Sequence, residues 1–218
     1  MTTGAVYPSS KQVGAIASRS RTVLTLIAFV CASLSGVALL LHAAGLLPLY
    51  FLVDALGPPS LILLVAIGVY ARRIDEPVLT NRLAAGAAAG FFATAAYDLA
   101  RLLLRVSGLI GFDPFLTHPI FGSLITGAPL TSPAALTAGW AYHLWNGLGF
   151  AVMYTLIAGP AHLYYALGWA LFLEIAWLTA LPSALNFTLR PDLVAVSLIG
   201  HAVYGLTLGV LARRWIRL

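Results

Sequence analysis

Four ionisable side chains sit inside otherwise apolar runs of this chain: Asp98, His143, Glu174 and His201. Two carboxylates and two imidazoles form a chemically capable set. Neutral imidazole and ionised carboxylate bind Zn, Fe or Mn. A metal held with an open position activates water or oxygen. Without a metal, the same groups serve as acid and base, because a desolvated carboxyl holds its proton more tightly and an imidazole accepts one near neutrality. Ionisable groups inside long apolar runs are expensive to keep, so they are the first place to look for function.

The apolar runs follow from composition. Of 218 residues, 61% are apolar and 9% charged, against about 25% charged in soluble domains. The mean hydropathy is +0.94. These values exclude a soluble globular enzyme, a disordered chain and a disulfide scaffold, and leave an all-α, polytopic integral membrane protein. A spanning helix takes roughly 20 residues, so the chain has room for about six. The expected spans are 22–42, 49–71, 83–105, 134–158, 161–182 and 191–212, forming one transmembrane domain over 22–218 behind a disordered tail over 1–21. The first run exceeds a signal-peptide core and reads as a retained helix. Gly57-Pro58-Pro59 predicts a kink or an irregular start in the second span.

Segment 106–133 differs. It carries Gly108, Gly111, Pro114, His118, Pro119, Gly122, Gly127 and Pro129, yet stays apolar. A long apolar loop of this kind reads as re-entrant or as the lid of a cavity. His118 is then an additional candidate ligand. Cys31 lies within the first run and reads as a packing residue.

The net charge of +5 is not a nucleic-acid signature, because the basic residues cluster at span ends and form no separate stripe. With six spans, Lys11, Arg19, Arg21, Arg72, Arg73, Arg82, Arg213, Arg214 and Arg217 fall on one side. Only Arg101, Arg105 and Arg190 fall on the other. The positive-inside rule then predicts a bacterial-type inner (plasma) membrane protein with both termini cytoplasmic.

Each of the four ionisable groups is on a different span. At 1.5 Å rise per residue, all four lie ~10–15 Å from the outer end of their spans. Their helix faces also agree. Rows four residues apart read Gly86, Gly90, Thr94, Asp98; Ala135, Gly139, His143, Gly147, Ala151; His162, Ala166, Ala170, Glu174; and Ser197, His201, Gly205, Gly209. Small residues mark helix–helix contact in membranes, so the four groups should point into the bundle.

A short repeat supports this. His143-Leu-Trp-Asn-Gly147-Leu aligns with His201-Ala-Val-Tyr-Gly205-Leu. The chain reads as two hairpins, 83–158 and 161–212, each with one carboxylate on its first helix and one histidine on its second. A parallel repeat about an axis along the membrane normal would bring all four together.

The leading expectation is a membrane-embedded enzyme acting on a small lipophilic, lipid- or isoprenoid-like substrate. Asp98, Glu174, His143 and His201 would be its metal ligands or its acid/base groups. Asn146, Tyr97 and Tyr204 would support them, and Tyr142, Trp145 and Trp177 would line an apolar pocket. A proton- or ion-coupled transporter is the alternative. Bis-histidine haem ligation by His143 and His201 is a further one. The plainest reading is a structural polar cluster in which Asp98 pairs with Arg101, Glu174 bonds a histidine, and Arg101 and Arg105 snorkel outward.

Overall fold

In a computed structural model, which describes residues 10–185 and 188–217, the chain is all-helical, with no strand among the described residues. The helices are α1 (Ser10–Ala43), α2 (Leu49–Arg73), α3 (Pro77–Val106), α4 (Thr117–Thr126), α5 (Pro133–Ala158), α6 (Leu163–Leu185) and α7 (Pro191–Trp215). Proline at the first turn starts α3, α5 and α7, where its missing N–H costs nothing. The Ser132 hydroxyl caps α5 by accepting from the Ala135 amide at 3.1 Å. Gly127 and Gly159, at φ 68° and 58°, end α4 and α5.

Five helices are long and apolar enough to cross a membrane: α1 from Ser20, α2, α3, α6 to Ala180, and α7. This is the polytopic all-α class that the composition requires. α5 has 26 residues, enough to span, but His143 and Asn146 dilute its apolar character. It lies against α1, α3 and α4.

Two local expectations change. Helix α1 begins at Ser10, so a disordered tail over 1–21 does not hold for its second half; residues 1–9 lie outside the described ones. Helix α2 begins at Leu49 and continues through Pro58 and Pro59, so the second span has no irregular start there.

Helices α1, α5, α3, α7 and α6 pack in a ring, each against the next, with α6 returning to α1. α2 lies outside against α1, α3 and α4, and α4 covers one end on α5. The small-residue rows are where the helices meet. A methyl group on Gly86 would press on Val152 and Thr155, and one on Gly90 on Leu148 and Ala151. Gly205 and Gly209 hold α7 against Ala166 and Ala170 of α6.

The half of the ring away from α4 is solid. Ala85, Ala89, Ala93, Ala151, Ala166, Ala170, Leu208 and Ala212 form a buried core there. Polar contacts seal that end. Arg21 bonds Glu76 at 2.7 Å. Arg82 donates to the Leu156 carbonyl at 2.8 Å, and Asn81 donates to the Trp215 carbonyl at 3.2 Å.

The segment over 106–133 is a loop with one short helix inside it. That helix is the ten-residue α4, docked on α5 by two glycines. A Cβ on Gly122 would collide with the Ala135 backbone, and one on Gly139 with the His118 backbone. Only glycine permits that approach, and it fixes where His118 stands.

A candidate two-pair site around one cavity

The α4 half of the ring encloses a cavity of about 570 Å³. Thr94, Tyr97 and Arg101 of α3 line it, as do Tyr142, His143 and Asn146 of α5. Leu173 and Trp177 of α6 and Ser197, His201 and Tyr204 of α7 form the far wall, and His118 and Phe121 of α4 close it. A mostly apolar chamber of this size, with a few convergent polar groups, has the character of a small-molecule site.

The sequence placed one carboxylate and one histidine on each of two hairpins, and within each hairpin the two side chains are paired. On α3 and α5, His143 Nε2 lies 3.1 Å from each oxygen of Asp98. An ionised carboxylate only accepts, so the imidazole donates. On α6 and α7, His201 Nδ1 lies 2.7 Å from Glu174 Oε2 and 3.1 Å from the Ser197 carbonyl. Both neighbours accept, so Nδ1 carries the proton and Nε2 is left as a base. The Ser197 hydroxyl donates to the same Glu174 oxygen at 2.8 Å. Glu174 is fully buried, and its Oε1 has no partner among the described residues.

The expectation that Asp98, Glu174, His143 and His201 form one ligand set is overturned. Helix α3 packs between α5 and α7, whereas α5 and α6 barely touch, so the hairpins are not related by the expected axis. Tyr97 of α3 stands between the couples, its ring centre 5.8 Å from that of His143 and 5.1 Å from that of His201.

His118 takes the place of the second couple. Asp98, His118 and His143 each offer a ligand atom, all within 4.8 Å of one another, a grouping that could hold a metal ion. His118 Nδ1 donates to the Phe115 carbonyl at 3.0 Å. This fixes its tautomer and turns Nε2 inward, as in metal-binding histidines. Its ring stacks on Trp140 at 4.3 Å and 8° and meets His143 edge-on at 4.3 Å. Burial, helped by the neighbouring His143 and Arg101, pushes its pKa down to about 2, so the imidazole is neutral across the physiological range.

The supporting residues divide. Asn146 lines the cavity with its Oδ1 unpartnered among the described residues. The Tyr204 hydroxyl donates to the Gly147 carbonyl at 2.7 Å, and that of Tyr142 to the Ser35 carbonyl at 2.8 Å. These two tyrosines tie helices together, and Tyr97 is the one placed at the couples. Trp145 is buried beside Gly57. Cys31 is a buried packing residue.

Sequence reasoning missed two groups. Ser197 lies four residues before His201, a spacing that was legible as a shared helix face. Arg101 was expected to pair with Asp98, which it does at 3.7 Å, and to snorkel outward. Instead it is buried, with its guanidinium 4.8 Å from the Tyr97 ring centre and 5.1 Å from that of Phe115. Arg105 is exposed, as expected.

Compared with known family models, curated proteins and solved structures, the chain matches none.

Proposed function

We propose that this protein is a membrane-embedded enzyme that holds a small lipophilic substrate in the α4-capped cavity and moves a proton on it. The observation that carries this reading is the Glu174–His201 couple. The imidazole lines the cavity, its Nδ1 proton is held by a fully buried carboxylate, and its Nε2 is left to act as base. Glu174 stabilises the imidazolium that forms, as the carboxylate of a catalytic triad does. Isomerisation, cyclisation or hydration of an isoprenoid-like chain needs such a base, a matching acid and little water. Trp177 and Tyr97 on the cavity wall would favour positive charge developing on the substrate.

The Asp98–His118–His143 grouping favours a metal-assisted form of the same reading. One carboxylate and two imidazoles suit Zn, Fe or Mn, with at least one position left for substrate or water. The metal would act there as a Lewis acid or as a source of hydroxide.

Transport is the competing reading. The close-packed alanine core in the half of the ring away from α4 speaks against it. The charge asymmetry supports a bacterial-type inner membrane with both termini cytoplasmic, which puts the cavity in the outer half of the bilayer.

The test uses purified protein in mild detergent, incubated with a total lipid extract and read by mass spectrometry. Wild type should consume a defined lipid class without any ion gradient, and His201→Ala should not. Identical lipid profiles for the two, together with substrate flux in proteoliposomes, would replace the enzyme by a transporter.

A further inference from the structure

We propose that Arg101 is the receptor for an anionic headgroup, so that the cavity takes a lipophilic chain ending in an oxyanion, either a carboxylate or a phosphate. This rests on the cavity reading above and names the substrate class for it.

Arg101 lines the cavity and its side chain is 8% exposed. A guanidinium has five N–H donors and cannot lose its charge. Its Nε is buried and has no hydrogen-bond partner among the described residues. Asp98 does not answer this need. Its approach to the guanidinium is 3.7 Å, beyond hydrogen-bond range, and both its oxygens accept from His143. A buried arginine normally gains bidentate bonds to an acid.

The surroundings hold the guanidinium in place without satisfying it. Tyr97 and Phe115 present ring faces to it. Such contacts favour the cation but accept no strong hydrogen bond. Arg101 could have turned outward, as Arg105 does one turn on. Arg190 also lines the cavity, but its guanidinium is bonded to Asp192. The other cavity walls are mostly apolar, which suits a hydrocarbon tail. An amphiphile with its head on Arg101 would lie between the two carboxylate–histidine couples, since Tyr97 touches both histidines and the guanidinium.

The test is binding to the full chain in nanodiscs, with EDTA present so that no metal contributes to anion affinity. The probes are hexadecyl phosphate, palmitate and uncharged hexadecanol, read by quenching of tryptophan fluorescence. Wild type should bind at least one anionic probe at least tenfold more tightly than the alcohol. Which anion wins distinguishes a phosphate head from a carboxylate head. Arg101→Gln should lose that preference and keep its affinity for hexadecanol. Arg101→Lys, which retains the charge for the case in which the glutamine variant does not fold, should keep part of the preference. Arg190→Gln should leave it unchanged.

Equal binding of alcohol and anions by wild type would overturn the proposal. So would a preference that survives Arg101→Gln or disappears in Arg190→Gln. Arg101-dependent anion binding with no lipid consumed would sink the enzyme reading and leave this one standing. Failure to bind any of the three probes would remove both.

Discussion

Glu174 Oε2 receives two hydrogen bonds, from His201 Nδ1 at 2.7 Å and from the Ser197 hydroxyl at 2.8 Å, while Oε1 of the same carboxylate receives none among the described residues. The hydrogen bonds of the couple thus come from α6 and α7. Its histidine is oriented before any ligand arrives, and the preorganised geometry is what a general base requires.

Removing that base should separate catalysis from folding. His201→Ala should lower turnover by roughly a hundred- to ten-thousandfold with little change in melting temperature. Glu174→Gln keeps the shape but loses the charge that holds the imidazolium, and should approach the same loss. Ser197→Ala should cost about tenfold or less. Turnover and detergent melting curves measured on the same samples check all three. A large drop in melting temperature for His201→Ala with unchanged turnover would make the couple a structural lock.

Metal binding should follow the three-residue grouping and not the four-residue one read from the sequence. Elemental analysis should find near-stoichiometric Zn, Fe or Mn in wild type and in Glu174→Gln. Asp98→Asn, His118→Ala and His143→Ala should each lose it. Arg101→Gln removes a positive charge 3.7 Å from Asp98 and should tighten the metal by up to about tenfold. A metal-free wild type would reduce the grouping to a hydrogen-bonded cluster.

His118 makes stability depend on pH in a defined direction. Its folded pKa of about 2 lies below the ordinary 6.5, so the unfolded chain binds the extra proton. Stability is fully present above pH 6.5 and is lost progressively as pH falls toward about 2. At pH 5 the loss is about 2 kcal/mol. Melting temperatures recorded from pH 8 to 5 should fall in wild type below 6.5, and His118→Phe should flatten that part of the curve.

The docking of α4 should be sensitive to single methyl groups. Gly122→Ala and Gly139→Ala each force backbone apart and should cost about 1–3 kcal/mol. Gly111→Ala, with nothing within 4 Å of its Cβ, should be neutral. Trp140, stacked on His118, reports the displacement by a shift in its fluorescence.

Much of this was legible in the sequence. Apolar length placed the long helices to within a few residues, except at the starts of α1 and α3. Rows such as Gly86, Gly90, Thr94 and Asp98 identified the contact faces, because small residues at four-residue spacing admit a neighbouring backbone. The inward placing of the four ionisable groups was read from those faces. Their convergence on one point did not follow. Equal depth fixes one coordinate only, and the lateral order of the ring, with α3 between α5 and α7, has no signature in the periodicity. His118 was weakly legible because α4 is held by backbone contact at Gly122 and Gly139, which leaves no hydrophobic period. Arg101 was misread because a terminal arginine can reach either solvent or the bundle, and its sequence neighbours do not decide between them.

The alanine-rich floor beneath the cavity carries a kinetic consequence. It closes one end of the chamber with close-packed methyl groups, so under the enzyme reading a product would leave through the α4 half. Outgoing and incoming molecules would then share that route. Accumulated product should slow the reaction by raising the apparent KM, with the maximal rate unaltered.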